Sequence, residues 1–269
     1  MVAPTGAAGH NGQVRDAPHQ SQPPWESGSG HGAGNETGTG PDAGRGPGAV
    51  VAVRVGRVQR QQWNGRELST AAAKDVVEGP VRVSAAGLAG DEQGDTRHHG
   101  GPEKAILAYA QENYGAWRAE GLDIAEGGFF ENLTVAGWPE AAVHAGDVFR
   151  IGEVLVQVSQ PRRPCTTLSA RWAMRELPQL VQRTGRSGYY LRVLEPGQVR
   201  AGDPMTLVRR VDGSVCVAEI NRVMNVDRSD REGIARLLAS PELPQAWRRG
   251  LERRLGGVFE DDSARLGTP

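Results

Sequence analysis

A chain of 269 residues can bury one large core or two modest ones, and its 31 basic against 32 acidic side chains leave a formal net charge of -1. That balance gives no electrostatic basis for nucleic acid or an acidic membrane surface as main partner. No run of about twenty apolar residues occurs, and no basic segment followed by an apolar one opens the chain, so a cytoplasmic protein without a bilayer span or secretory signal is expected.

Cys165 and Cys216 are the only cysteines. Two thiols argue against a disulfide scaffold and exclude an ordinary four-cysteine cluster or zinc site, so electrons for any redox chemistry must come from outside the chain.

In chain order, residues 1–48 are rich in Gly, Ser, Pro, Asn and His with almost no aliphatic side chains, and are expected to form a disordered tail. His10, His19 and His31 are too scattered there for a metal site. A domain over 49–211 opens with a β-branched strand at 49–55. Short strands are expected at 76–77, 81–83, 189–194 and 205–208, with a hairpin made of 147–151 and 154–158. This pattern reads as a mainly β fold with some α, closed into a barrel.

One helix is expected after Gly100-Gly101, with Pro102 at its first position and Ile106, Ala110, Asn113, Tyr114 and Trp117 at helical spacing. A second covers 173–184, interrupted by Pro178. Three helices then make a small domain over 212–260. The first is 215–224 and carries Cys216; the second is capped by Ser229 or Asp230 and carries Ile234, Leu237 and Leu238. The third opens at Ser240-Pro241-Glu242 and carries Leu243, Trp247, Leu251 and Leu255. The polar end, 261–269, is expected to fray.

Three segments carry candidate chemistry. The stretch 87–104 gathers turn glycines, Asp91, Arg97, His98, His99 and Lys104 before the first expected helix. Its N-terminus would suit an anion, with Gly100 and Gly101 allowing close backbone approach; a solvated capping loop is the other reading. In Gln160-Pro161-Arg162-Arg163-Pro164-Cys165 the two guanidinium groups would favour a thiolate, which binds metals and attacks electrophiles. On the residues alone, Cys165 is either that or a buried small hydrophobe; for Cys216 the buried filler is expected. The turn Thr184-Gly185-Arg186-Ser187-Gly188, leading to Arg192, could bind phosphate or a planar heterocycle, or could be an ordinary turn. Glu131 and Asn132 are either ligand contacts or turn-ordering residues. No Walker loop, Gly-x-Ser-x-Gly elbow or His-Glu-x-x-His pair is present.

The succession Gly90-Asp91, His99 to Ala105, Glu131-Asn132-Leu133, Gly146-Asp147, Gln160-Pro161-Arg162-x-Pro164-Cys165 and Gly188-Tyr189 resembles the MOSC domain family, named for the C-terminal domain of molybdenum cofactor sulfurases. Its order and spacing over about residues 50–260 match the YiiM-like branch with a C-terminal three-helix domain. The resemblance implies a β-barrel and a molybdenum cofactor (Mo-molybdopterin) ligated by Cys165. The implied activity is reduction of N-hydroxylated compounds, such as hydroxylaminopurine-type base analogues, to amines: a detoxification. Electrons would come from a partner reductase of flavoprotein or ferredoxin type. Asp91 and His99 are then candidates for proton delivery. Arg97, Gly100, Gly101, Lys104, Glu131, Asn132, Arg162, Arg186, Ser187, Gly188 and Arg192 are candidates for holding the cofactor. His98 and Arg163 occupy positions that vary in the family. The alternatives are a non-catalytic carrier of cofactor or sulfur on Cys165, and a helical tail that serves mainly to dock a redox partner.

Overall fold

The computed structural model describes residues 46–94 and 100–267. The expected tail up to residue 45, Arg97, His98 and His99 lie outside the described residues.

Strand β1 is Gly48–Val55, followed by a hairpin of β2, Gln59–Trp63, and β3, Arg66–Thr70. Its turn is Asn64-Gly65, with φ of 48° and 72°, the positive values that a two-residue hairpin turn matching strand twist requires. Short strands β4 (Asp75–Val76), β5 (Val81–Ser84) and β6 (Gly87–Leu88) come next. A single 3₁₀ turn, Pro102–Lys104, leads into β7, Ile106–Ala110, and helix α1, Gln111–Ala119. The remainder of this part comprises β8 (Leu133–Ala136), β9 (Val148–Ile151), β10 (Val154–Pro161), α2 (Thr166–Trp172), α3 (Leu177–Thr184), β11 (Tyr189–Glu195), β12 (Gly197–Val199) and β13 (Pro204–Arg209).

Among the described residues, the order β1-β8-β7-β11-β10-β9-β13 returns to β1 and closes a seven-stranded barrel. Neighbours are antiparallel except β7 and β8, which run parallel. Strand β4 extends the far end of β1, and β12, β5 and β6 form a small side sheet. Val53, Ala108, Phe149, Val156, Tyr189 and Met205 fill the barrel. Outside it, α1, α2 and α3 enclose a second core built on Tyr109, Tyr114, Trp117, Phe129 and Leu168.

The helix expected from Pro102 through Trp117 is therefore three elements. All five residues of β7 are buried: Ile106 and Ala108 face the barrel core, and Tyr109 belongs to the second core. With both faces apolar, the alternation that marks a strand is erased, and a short apolar run cannot be told from a helix. Pro178 does not interrupt a helix either, because α3 starts at Leu177 and places it in the first turn, where no hydrogen-bond donor is needed.

The C-terminal helices are α4 (Val217–Asn221), extended by a π turn over Arg222–Val226, α5 (Arg231–Ala239) and α6 (Gln245–Leu255). Asp230 caps α5 by accepting from the Gly233 amide at 2.8 Å. Cys216 stands just before α4 rather than within it, and its sulfur accepts from the Glu219 amide. Ile220, Val223, Ile234, Leu237, Trp247 and Leu251 pack together with Ala145 of the β8–β9 connection. Residues 261–267, expected to fray, are instead docked. Ser263–Leu266 forms a short helix, α7, Leu266 is buried, and Asp262 pairs with Arg163.

Candidate functional site at Cys165

Strand β10 ends at Pro161, and the chain crosses Arg162, Arg163 and Pro164 before entering α2, with Cys165 as the residue preceding its first turn. The Cys165 thiol donates to the Thr167 hydroxyl at 3.5 Å. Cys165 is half-buried and borders two cavities. The first, about 210 Å³, lies against β3, Lys74, Asp91, Gly100, Phe130 and Arg162. The second, about 1170 Å³, is walled by Arg192, Arg163, the α5–α6 connection through Trp247, and Arg265. Lys104, Thr167 and Tyr190 border both. Small-molecule sites usually enclose about 300–1,000 Å³, so the second cavity alone has room for a cofactor-sized ligand, and the first adjoins it at Cys165.

Arg162 is 3% exposed, and its Nη1 has no hydrogen-bond partner among the described residues. Its backbone is fixed by the amide donating to the Gly188 carbonyl at 3.0 Å. A buried guanidinium without a full set of acceptors is costly, and an anionic or acceptor-rich ligand relieves that cost. Tyr190 reports the same cluster. Burial pushes its hydroxyl above the ordinary value, Arg162 draws it back, and Cys165 pushes it up. The Lys104 ammonium lies 5.9 Å from the Tyr190 ring centre.

Asp91 borders the first cavity, where it accepts from the Gly56 amide at 2.8 Å and pairs with the Lys74 ammonium. Burial holds the Lys74 pKa below its usual value, with Asp91 opposing. Lys74 was not visible as a functional residue in the Ala71-Ala72-Ala73-Lys74 run. Phe130 was also passed over, although it is a non-glycine residue at φ 67° and stacks on Trp63 with ring centres 6.0 Å apart. A strained backbone at a cavity wall is its distinguishing mark.

Other candidates take structural positions. Glu131 is fully buried away from both cavities, accepting from Tyr114, Gly127 and Thr134. Asn132 borders the first cavity, but its amide joins strands by accepting from the Leu107 amide and donating to the Arg54 carbonyl. Arg186 pairs with Glu120 and lies over Trp117, and Ser187 accepts from Asn221. Arg192 borders the second cavity and is held by Glu103, Gln157 and Glu242. Gly101 precedes only a three-residue turn, so the expected helix N-terminus for an anion is not there.

Among the described residues, no group of three or more His, Cys, Asp or Glu side chains could hold a metal ion. The Cys165 thiol, a metal ligand once it loses its proton, borders the same cavity as the buried, incompletely paired Arg162 guanidinium, and this fits a metal whose remaining ligands belong to its own anionic organic group. No helix of the described residues is long and apolar enough to cross a membrane.

The MOSC domain model matches residues 95–206, and the YiiM-like 3-alpha helix domain model matches 215–257. Protein YiiM of Escherichia coli is 40% identical over 202 residues, 73% of this chain and 90% of that protein. A protein of Gibberella moniliformis named "Reductase" is 36% identical over 184 residues, 66% of this chain and 32% of that longer protein. The crystal structure of YiiM from Geobacillus stearothermophilus superposes with a TM-score of 0.64 at 33% identity, covering 78% of this chain and all of that one. With a closed seven-stranded barrel, appended helices and matches spanning both parts, the chain belongs to the MOSC domain family, in its YiiM-like branch.

Proposed function

We propose that this protein is a molybdenum-cofactor-dependent oxidoreductase that reduces N-hydroxylated compounds to amines with electrons from a separate reductase. The observation that carries the reading is the position of Cys165 where two cavities meet, beside the buried and incompletely paired Arg162. The relative named as a reductase supports the reaction class.

Cys165 would ligate the metal, and Arg162 and Lys104 would face the anionic groups of the pterin. When bound, the cofactor would supply the two-electron reduction of the N–O bond. Cleaving an N–O bond to amine and water consumes protons. The Lys74–Asp91 pair holds one at the wall of the first cavity, where burial already lowers the Lys74 pKa; His99, outside the described residues, stays the second candidate on the resemblance alone. Arg192, tied into its carboxylate pairs, shapes the second cavity rather than binding phosphate.

The test is metal and pterin content of the wild type and Cys165→Ala after expression in a cofactor-competent host, followed by turnover of an aryl or purine hydroxylamine with a chemical electron donor. Molybdenum and turnover in the wild type, with both lost in Cys165→Ala, are expected. Equal pterin-bound molybdenum in both would remove Cys165 as ligand. Cofactor that dissociates readily, without turnover, would favour a carrier.

A further inference from the structure

We infer that residues 258–267 form a strap that positions Cys165 and walls one side of the second cavity, with Arg265 as its positioning residue. The inference rests on the reading of Cys165 as the cofactor ligand, and it concerns a segment beyond the matched helical domain.

The strap touches the chain on both sides of Cys165. Arg265 Nη1 donates to the carbonyl of Pro164, the preceding residue, at 2.7 Å. Arg163 Nη2 donates to Asp262 Oδ1 at 2.6 Å, and Asp262 also lies 3.0 Å from Arg265. A Cβ placed on Gly267 would come 3.0 Å from Thr166 Cγ2, so the strap's end sits against the residue following Cys165.

The same segment is tied down elsewhere. Arg265 Nη2 donates to Gln182 Oε1 of α3 at 2.6 Å. Arg228 donates to the Glu260 carbonyl at 2.6 Å, and Arg253 to its carboxylate at 2.8 Å. The Leu266 side chain is 8% exposed. A guanidinium carries five N–H donors in its plane, so two of its nitrogens can join a backbone carbonyl and a side-chain amide at once. Arg265 thereby couples the loop before Cys165 to α3, while Glu260, Ala264 and Arg265 border the second cavity. This gives Arg163 a purpose that the sequence withholds: it anchors the strap rather than the ligand.

The test uses the full chain carrying Cys216→Ser, so that Cys165 alone reports. The rate of alkylation of metal-free protein by N-ethylmaleimide is measured at one pH for the parent, Arg265→Ala, Arg265→Lys and Asp262→Asn. Loosening the strap should speed alkylation by about three-fold or more in Arg265→Ala and Asp262→Asn. Lysine, which can still donate to the Pro164 carbonyl, should restore the parent rate. In the cofactor-competent host, retained molybdenum should fall in Arg265→Ala and recover in Arg265→Lys. Smaller accelerations in both Arg265→Ala and Asp262→Asn, or no rescue by lysine, would overturn the inference. If no variant, parent included, acquires molybdenum, the cofactor reading fails, while the alkylation rates still decide whether the strap positions Cys165.

Discussion

The Glu140 carboxylate accepts a hydrogen bond from the Gly188 amide at 2.8 Å. The Gly188 carbonyl in turn accepts from the Arg162 amide, so a buried acid outside both cavities holds the backbone beside Cys165 through one glycine. Gly188 is at φ 74°, and a Cβ there would meet the Ala108 carbonyl at 2.5 Å. Asn113 donates to both Glu140 oxygens at 3.0 and 3.1 Å. Burial raises the Glu140 pKa, with the Gly188 amide the leading opposing influence.

Replacing Glu140 tests that linkage. Glu140→Ala strands the Gly188 amide and the Asn113 side chain in the interior, and should cost about 3 kcal/mol. Glu140→Gln retains one acceptor for Gly188, and rotation of the Asn113 amide satisfies the other side, so its cost should be about 1 kcal/mol. Urea unfolding midpoints measure both. Equal losses in the two variants would mean that Glu140 acts through packing alone.

The Lys74–Asp91 pair should behave as one unit. The side chains are 8% and 4% exposed, so removing either partner leaves a buried, uncompensated charge. Lys74→Met should cost about 3 kcal/mol, and Lys74→Met with Asp91→Asn together should cost less than that single change. Additive losses in chemical denaturation would contradict the pairing. Turnover should fall in both variants if the pair holds the transferred proton.

How legible the site was depended on where its chemistry resides. Cys165 could be found because prolines and arginines in a fixed local order surround it. The barrel followed from many short strands separated by turns, and the hairpin of β9 and β10 is present with its two-residue turn. Strand β7 was hidden because both its faces are apolar. The Asn64-Gly65 hairpin carried the strongest turn signal in the chain, yet its flanking strands are largely polar and drew no attention. Lys74 and the strap around Arg265 owe their importance to partners 17 and 101 residues away, a separation that no local pattern records. Glu131 and Asn132 were read as ligand contacts or turn-ordering residues, but the hydrogen bonds of Glu131 tie helix α1 and the loop at Gly127 to β8, and those of Asn132 join strands.

Phe130 offers a test in which backbone and side chain oppose each other. At φ 67° any side chain is strained, while the ring stacks against Trp63. Both Phe130→Ala and Phe130→Gly lose the ring, but glycine also relieves the backbone. Phe130→Gly should therefore be more stable than Phe130→Ala by about 1 kcal/mol, the reverse of the usual order. Thermal unfolding under identical conditions decides it; alanine at or above glycine would show that the left-handed conformation relaxes once the ring is gone.

Acid should loosen the C-terminal helices before the barrel. Arg222 pairs with Glu219 at 2.7 Å and Asp230 at 2.5 Å, and Arg236 also reaches Glu219 at 2.9 Å. The hydrogen bond from Arg222 is the leading cause that holds both carboxyls below their ordinary pKa. For a carboxyl lowered in the folded state, the linked stability is complete above the unfolded pKa and disappears as pH falls through the folded value. The relevant window therefore lies below about pH 4. Asp230 also caps α5, so its protonation weakens the cap together with the ion pair. Methyl signals of Ile220 and Ile234, buried in the helical core, should lose their native shifts at higher pH than those of Ile106 and Ile151 in the barrel core. Arg222→Gln should shrink the pH-dependent step in the helical signals, because the two carboxyls then titrate closer to their unfolded values. A single transition shared by all four isoleucines, unchanged by Arg222→Gln, would show that the helices and barrel unfold as one unit under control of other groups.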